Sequence, residues 1–195
     1  MPRRTSRTVP VVVLHGWEGS GPDHWQTWLV AHLREAGRDV RYPTLADPDV
    51  PMLDEWLAAM RDTIADLPSD GFDVVAHSIA AVAWLHHVVD TGTSPRPARV
   101  VLVAPPSPTT TVPEIAAFFP PPLDIDAVRH AADGTVLVGS DDDPWCPEGI
   151  TAAYGLPLKI ATTVLPAAGH INTDSGYGAW PAMLDWCNRD NLAFY

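Results

Sequence analysis

Continuous apolar runs alternate with helical patterns along most of the chain. VPVVVLHG (9–16) is β-branched throughout, the mark of a strand buried on both faces. After a loop, HWQTWLVAHLREAG (24–37) has apolar residues at helical spacing, with Asp23 as candidate N-cap and Gly37 closing the helix. DVRYP (39–43) reads as a short strand, and MLDEWLAAMRDTIADL (52–67) as a helix stopped by Pro68. FDVVAH (72–77) is a strand that passes at once into the helix IAAVAWLHHVVD (79–90). ARVVLVAP (98–105), GTVLVGS (134–140) and KIATTVLP (159–166) add three more buried strands, with a helical PEGITAAYG (147–155) before the last of them. A final helix covers roughly GAWPAMLDWCNR (178–189).

Six strands interleaved with helices predict an α/β fold, a three-layer α/β/α sandwich around a mostly parallel sheet with right-handed crossovers. Nothing repeats and no flexible linker divides the 195 residues, so one domain, 1–195, is expected. One segment breaks the rhythm. PPSPTTTVPEIAAFFPPPLDIDAV (105–128) is proline-rich and too long for a bare connection. It is either an irregular surface excursion or a wall or lid over a site at the carboxyl ends of the strands.

Composition narrows the partners. The net charge is −12 and Lys159 is the one lysine. Such a surface repels phosphate backbones and anionic lipid heads, so neither a nucleic acid nor a membrane is the expected partner. Cys146 and Cys187 are too few for a disulfide framework and lack zinc-ligand spacing, which fits a reducing cytoplasm. RRTSR (3–7) before VPVVVL mimics a twin-arginine export signal. The apolar run stops after about six residues, short of the ~7–15 such signals carry, so a frayed terminus entering a strand is expected.

The chemistry gathers where the apolar runs end. In A-H-S-I-A (76–80), Ser78 stands at the junction of a buried strand and a helix, a variant of the G-x-S-x-G nucleophile elbow. Such a turn strains the serine and demands small residues two positions to either side, here Ala76 and Ala80. Read blandly, Ser78 is a helix N-cap. A serine nucleophile needs a base, and the base an orienting acid, in the chain order serine, acid, histidine. VLVGSDDDPWCP ends a strand in three aspartates. Asp143 is preferred because its spacing to Pro144 and Pro147 resembles the acid turn of many hydrolases; Asp142 is the reserve, and Asp141 a solvated or capping residue. The strand TTVLP leads into AAGHIN, which puts His170 where a catalytic base belongs. Oxyanion donors are expected from the backbone N–H groups of Ile79, at a helix start, and of Trp17, in the loop after the first strand. His15 would buttress that loop.

VVVLHGWEGSGPDHWQTWL, VVAHSIAAVAWLHH, GSDDDPWCP and AAGHIN together resemble the α/β-hydrolase superfamily, and more narrowly the small serine hydrolases related to retinoblastoma-binding protein 9. The likeness spans about residues 9–187, and HGWxGSGxxHWQxW is its most specific part. It implies a compact hydrolase fold lacking the first strands of larger members, a Ser78–Asp143–His170 triad, and hydrolysis of small ester or amide substrates. Two departures stand out: Ile79-Ala80 replaces the frequent Leu-Gly, and the L-x-C-x-E retinoblastoma-docking pattern is absent.

The expected enzyme is therefore a cytoplasmic serine hydrolase that forms an acyl-enzyme and calls for no metal or organic cofactor. Trp17, Phe118, Phe119 and Trp145 are the candidate substrate-binding side chains. His24 and Trp25 can be read as substrate contacts or, as is preferred, as a helix-start pair packing under the oxyanion loop. His86 and His87 are expected to form a surface pair. The alternative from another class is a silent hydrolase fold serving as a binding module. Acyl transfer to another acceptor and carbon–carbon cleavage share the same triad and stay open.

Overall fold

A computed structural model describes residues 8–68, 71–91 and 95–189. The basic stretch 3–7, expected as a frayed terminus, lies outside the described residues. Among the described residues six strands are present: β1 Val11–Leu14, β2 Val40–Arg41, β3 Asp73–His77, β4 Arg99–Val103, β5 Gly134–Ser140 and β6 Ala161–Leu165. They form one sheet in the order β2-β1-β3-β4-β5-β6, and every neighbouring pair is parallel. Six α-helices among the described residues accompany it: α1 Trp25–Glu35, α2 Leu53–Ile64, α3 Ile79–Thr91, α4 Ile125–Ala131, the short α5 Leu156–Leu158 and α6 Pro181–Asn188. A wide helical turn, Thr151–Gly155, leads into α5.

Hydrophobic burial divides into two layers. On one face Trp25, Leu29 and Leu33 of α1 join Met183 and Trp186 of α6 against Val11, Val13 and Val75. On the other, Trp56 and Met60 of α2 pack with α3, α4 and α5 over Val12, Leu14 and Val74. The side chain is thus buried at every position of β1, β3 and β4, which is why those runs carry no polar alternation. The alanines of α3 have the same origin. Residues 79–85 are all buried, because the helix lies on the sheet between α2 and α4, and small side chains let it come close.

Four sequence expectations change. The N-cap of α1 is His24 in place of Asp23. The excursion 105–128 carries order: a 3₁₀ turn, Pro113–Phe118, and the start of α4, whose N-cap Asp124 accepts the Ala127 N–H at 2.9 Å. β6 is an edge strand and half exposed, with Val164 at 47 %, where a buried strand was expected. His87 is buried, not a surface residue, because it lies against Trp84 on the inner side of α3; His86 donates from Nε2 to the Phe118 carbonyl at 2.9 Å.

The topology fixes where a ligand can sit. The chain leaves β1 for the β2 edge, then returns to β3 on the other side and builds outward to β6. The connections after β1 and β3 diverge at their carboxyl ends, and this switch point is where open α/β sheets form a crevice.

Candidate active site

Ser78 follows the last residue of β3 and precedes the first of α3. Its φ is +56°, a left-handed conformation that costs a non-glycine residue about 1–3 kcal/mol and persists only when the surroundings enforce it. They do: the Ser78 N–H is tied to the Val103 carbonyl at 2.8 Å, and Ala76 and Ala80 are both fully buried. Gly16 closes the other side. A Cβ on Gly16 would come 2.7 Å from the Ser78 Cβ and 3.4 Å from His77 Nδ1, so only glycine lets the loop after β1 approach this closely.

A continuous hydrogen-bond chain runs from the serine. His170 Nε2 lies 2.9 Å from Ser78 Oγ, and His170 Nδ1 lies 2.9 and 3.0 Å from the two Asp143 carboxylate oxygens. A carboxylate only accepts, so Nδ1 carries the proton and Nε2 is left to accept from the serine hydroxyl. All three side chains are buried. Of the three aspartates, it is Asp143, the one the sequence favours, whose carboxylate meets the His170 ring. Four consecutive residues grip successive positions of the loop after β6. Ser140 Oγ accepts from the Ala168 N–H (2.8 Å), Asp141 from the Ala167 N–H (2.8 Å), and Asp142 from the Gly169 N–H (2.7 Å), while Asp143 holds the His170 ring. Asp142 also accepts from the Ser140 hydroxyl, and these two bonds hold its carboxyl below the usual range.

The loop carrying His170 is wound tightly, with Ala167, Gly169 and Ile171 all at φ near +50°. It is tied from three further sides. Ser175 Oγ accepts the His170 N–H (3.0 Å), Trp25 Nε1 donates to the Ile171 carbonyl (2.8 Å), and His77 Nε2 donates to the His170 carbonyl (3.1 Å). His77, the second residue of A-H-S-I-A, thus links the base of the elbow to the histidine loop. Burial first, and then His170 and His24 nearby, hold it well below the ordinary histidine range, so it donates as a neutral ring. The sequence reading gave His77 no role.

A cavity of about 250 Å³ opens over Ser78 and His170. Ile79 and Trp17 both line it, and among the described residues neither backbone N–H has an acceptor. The Trp17 and Trp145 indoles meet edge to face at 6.0 Å as one wall; Pro106 and Ile115, from the excursion, line it too. Phe118 and Phe119, proposed for this wall, require correction. Phe118 is fully buried against Trp56, with ring centroids 5.4 Å apart, and Phe119 packs on the same core. The 3₁₀ turn stacks Ile115 and Phe118 on one side, so Ile115 reaches the cavity and Phe118 continues into the core.

The signature HGWEGSGPDHWQTW divides its labour. His15 accepts the Leu45 N–H at Nε2 and donates from Nδ1 to its neighbour's carbonyl, bracing the loop as expected. Gln26 bridges the Leu14 carbonyl and the Ser20 hydroxyl. Trp25 is core, but His24, expected beside it as packing, is a cavity wall. Among the described residues, no group of three or more histidine, cysteine or acidic side chains is placed to hold a metal, and no helix is long and apolar enough to cross a membrane.

Comparison with known proteins agrees with this architecture. The sequence model of the serine hydrolase family matches residues 11–189. YdeN of Bacillus subtilis, described as a hydrolase, is 23% identical over 181 residues, covering 91% of this chain and 94% of that protein. Its crystal structure superposes with a TM-score of 0.80 at 22% identity, over 92% of this chain and 96% of its own. A YdeN-like hydrolase from Pectobacterium atrosepticum gives 0.67 at 22%, over 91% and 87%.. The thioesterase domain of the curacin biosynthetic pathway gives 0.63 at 15%, over 96% and 92%.

Proposed function

The chain belongs to the serine hydrolase family, and on that premise we propose that it cleaves small carboxylic esters or amides through a Ser78–His170–Asp143 triad. The observation that carries this reading is the unbroken chain from Ser78 Oγ through His170 to Asp143, at 2.9 Å on either side of the ring. In the first step His170 Nε2 takes the hydroxyl proton as Ser78 Oγ attacks the carbonyl carbon. Asp143 holds the imidazole in the required tautomer and stabilises the imidazolium. The Ile79 and Trp17 N–H groups receive the developing oxyanion, aided by the amino-terminal end of α3. His170 then returns the proton to the departing alcohol or amine. Water, deprotonated by the same ring, releases the acid and regenerates the serine. A cavity of about 250 Å³ suits small acyl and leaving groups.

Intact mass after exposure to a fluorophosphonate tests the reading. One adduct on the wild type, absent from Ser78→Ala, is expected. A folded wild type that takes up no adduct would refute an activated serine and favour a binding module.

A further inference from the structure

His24 caps α1 and also walls the cavity, and the acyl-transfer scheme leaves one of its two nitrogens unused. The residue is 5% exposed, and its Nδ1 accepts the Gln26 N–H at 3.2 Å. A ring nitrogen that accepts carries no proton, so in the neutral ring the proton is on Nε2. Burial first, and then His170 and His15, hold this ring down at about 4, so the neutral form prevails near pH 7. Its orientation is fixed by ring contacts with Trp25 at 5.6 Å and His77 at 5.2 Å. Among the described residues nothing accepts from Nε2. Capping explains Nδ1, since asparagine or serine serves that purpose as well. It does not explain why a ring whose other nitrogen, the donor, meets no acceptor among the described residues lines the same cavity as Ser78 and His170.

We infer that His24 is a substrate-binding residue whose Nε2–H takes an uncharged oxygen acceptor, such as an ether, carbonyl or hydroxyl oxygen, near the scissile bond. Charge selects the uncharged acceptor. A neutral ring offers no counter-ion, and Glu18 and Asp174 border the same cavity, where they oppose an anion. The inference rests on the acyl-transfer reading of the cavity.

Two amide substitutions separate the nitrogens. In His24→Asn the amide reaches the place of Nδ1, keeping the cap and losing the far donor. In His24→Gln it reaches the place of Nε2, keeping the donor and giving up the cap. Two ester pairs exchange one CH₂ or CH₃ for oxygen: p-nitrophenyl butyrate against methoxyacetate in the acyl half, and propyl against 2-hydroxyethyl butyrate in the alcohol half. The quantity read is the oxygen-to-carbon ratio of kcat/KM in each protein, which cancels the esters' intrinsic reactivities when proteins are compared. For at least one pair the ratio is expected to fall about tenfold in His24→Asn and to recover in His24→Gln, although the latter is the less thermostable. Ratios that stay level across the three proteins, or that fall equally in both variants, overturn the inference. Fluorophosphonate labelling of the wild type distinguishes the failures. An unlabelled Ser78 removes the hydrolase reading and this inference with it, whereas a labelled Ser78 with level ratios removes the His24 role alone.

Discussion

Replacing Gly16 with alanine perturbs the site through a single methyl group. The φ of Gly16 is not left-handed, so alanine meets no backbone strain there and the effect is steric. The new Cβ would stand 2.7 Å from the Ser78 Cβ, roughly 1 Å inside ordinary carbon–carbon contact. Ser78 cannot yield freely, since it is held at φ +56° between buried neighbours in β3 and α3. The loop after β1 must therefore retreat, taking the Trp17 N–H with it. Overpacking of this kind costs about 1–3 kcal/mol, a fall in Tm of roughly 2–12 °C for a chain of this size. The chemical cost is larger. Withdrawing one oxyanion donor lowers kcat by about 10²–10³, with KM for p-nitrophenyl acetate little changed. Fluorophosphonate labelling should slow in step, because its phosphoryl oxygen uses the same donors. Gly178→Ala, where the added Cβ meets only the Asp23 carbonyl at 3.9 Å, is the control. A Gly16→Ala protein that keeps wild-type Tm and kcat within about twofold, a change of only ~0.4 kcal/mol, would refute the packing of this loop against the nucleophile.

The two adjacent aspartates should behave differently. Asp143→Asn removes the acceptor that fixes the His170 tautomer and is expected to lower kcat by about 10⁴, whereas Asp142→Asn keeps an oxygen for the Gly169 N–H and is expected to leave kcat close to the wild-type value. A larger loss of turnover in Asp142→Asn, measured with the same ester, would reverse the assignment. Acid should destabilise the fold through its buried histidines. His24 and His87 are both lowered from 6.5 to about 4, chiefly by burial, so between those values the unfolded chain binds protons that the folded chain excludes. Their contribution is present in full above pH 6.5 and is lost as the pH falls toward 4. Denaturant unfolding at pH 7, 5.5 and 4.5 reads this, and a slope left unchanged by His87→Phe would refute the assignment of that ring.

Much of this arrangement was legible because strand, turn and helix leave short-range marks. The β-branched runs, the Ser78 junction and the strand-end settings of Asp143 and His170 are each marked within a few residues of chain. What escaped depends on contacts across it. The spacing to Pro144 and Pro147 favours Asp143 as the acid, but the grip of Asp141 and Asp142 on the Ala167 and Gly169 N–H groups is a register across the chain that no local pattern encodes. Phe118 and Ile115 lie three residues apart in one 3₁₀ turn, and only the depth of that turn against Trp56 decides which reaches the cavity. The aromatic density of Trp17, Trp25 and Trp28 around His24 favours packing over substrate contact, yet the ring that caps α1 lines the cleft. β6 looked buried because alternation on a half-exposed edge strand of five residues is too short to read.

The grip of residues 140–143 on the segment after β6 has a consequence for how activity is lost. β6 is the outermost strand and borders one neighbour, so it can detach while β1, β3 and β4 stay packed. Such a partial opening would carry His170 away from Ser78 and leave both hydrophobic layers largely closed. Inactivation should therefore precede the loss of far-ultraviolet circular dichroism along a denaturant titration. Amide exchange in residues 161–170 should then be faster than in the three central strands, making catalysis a more sensitive reporter of integrity at this edge than any global probe of folding.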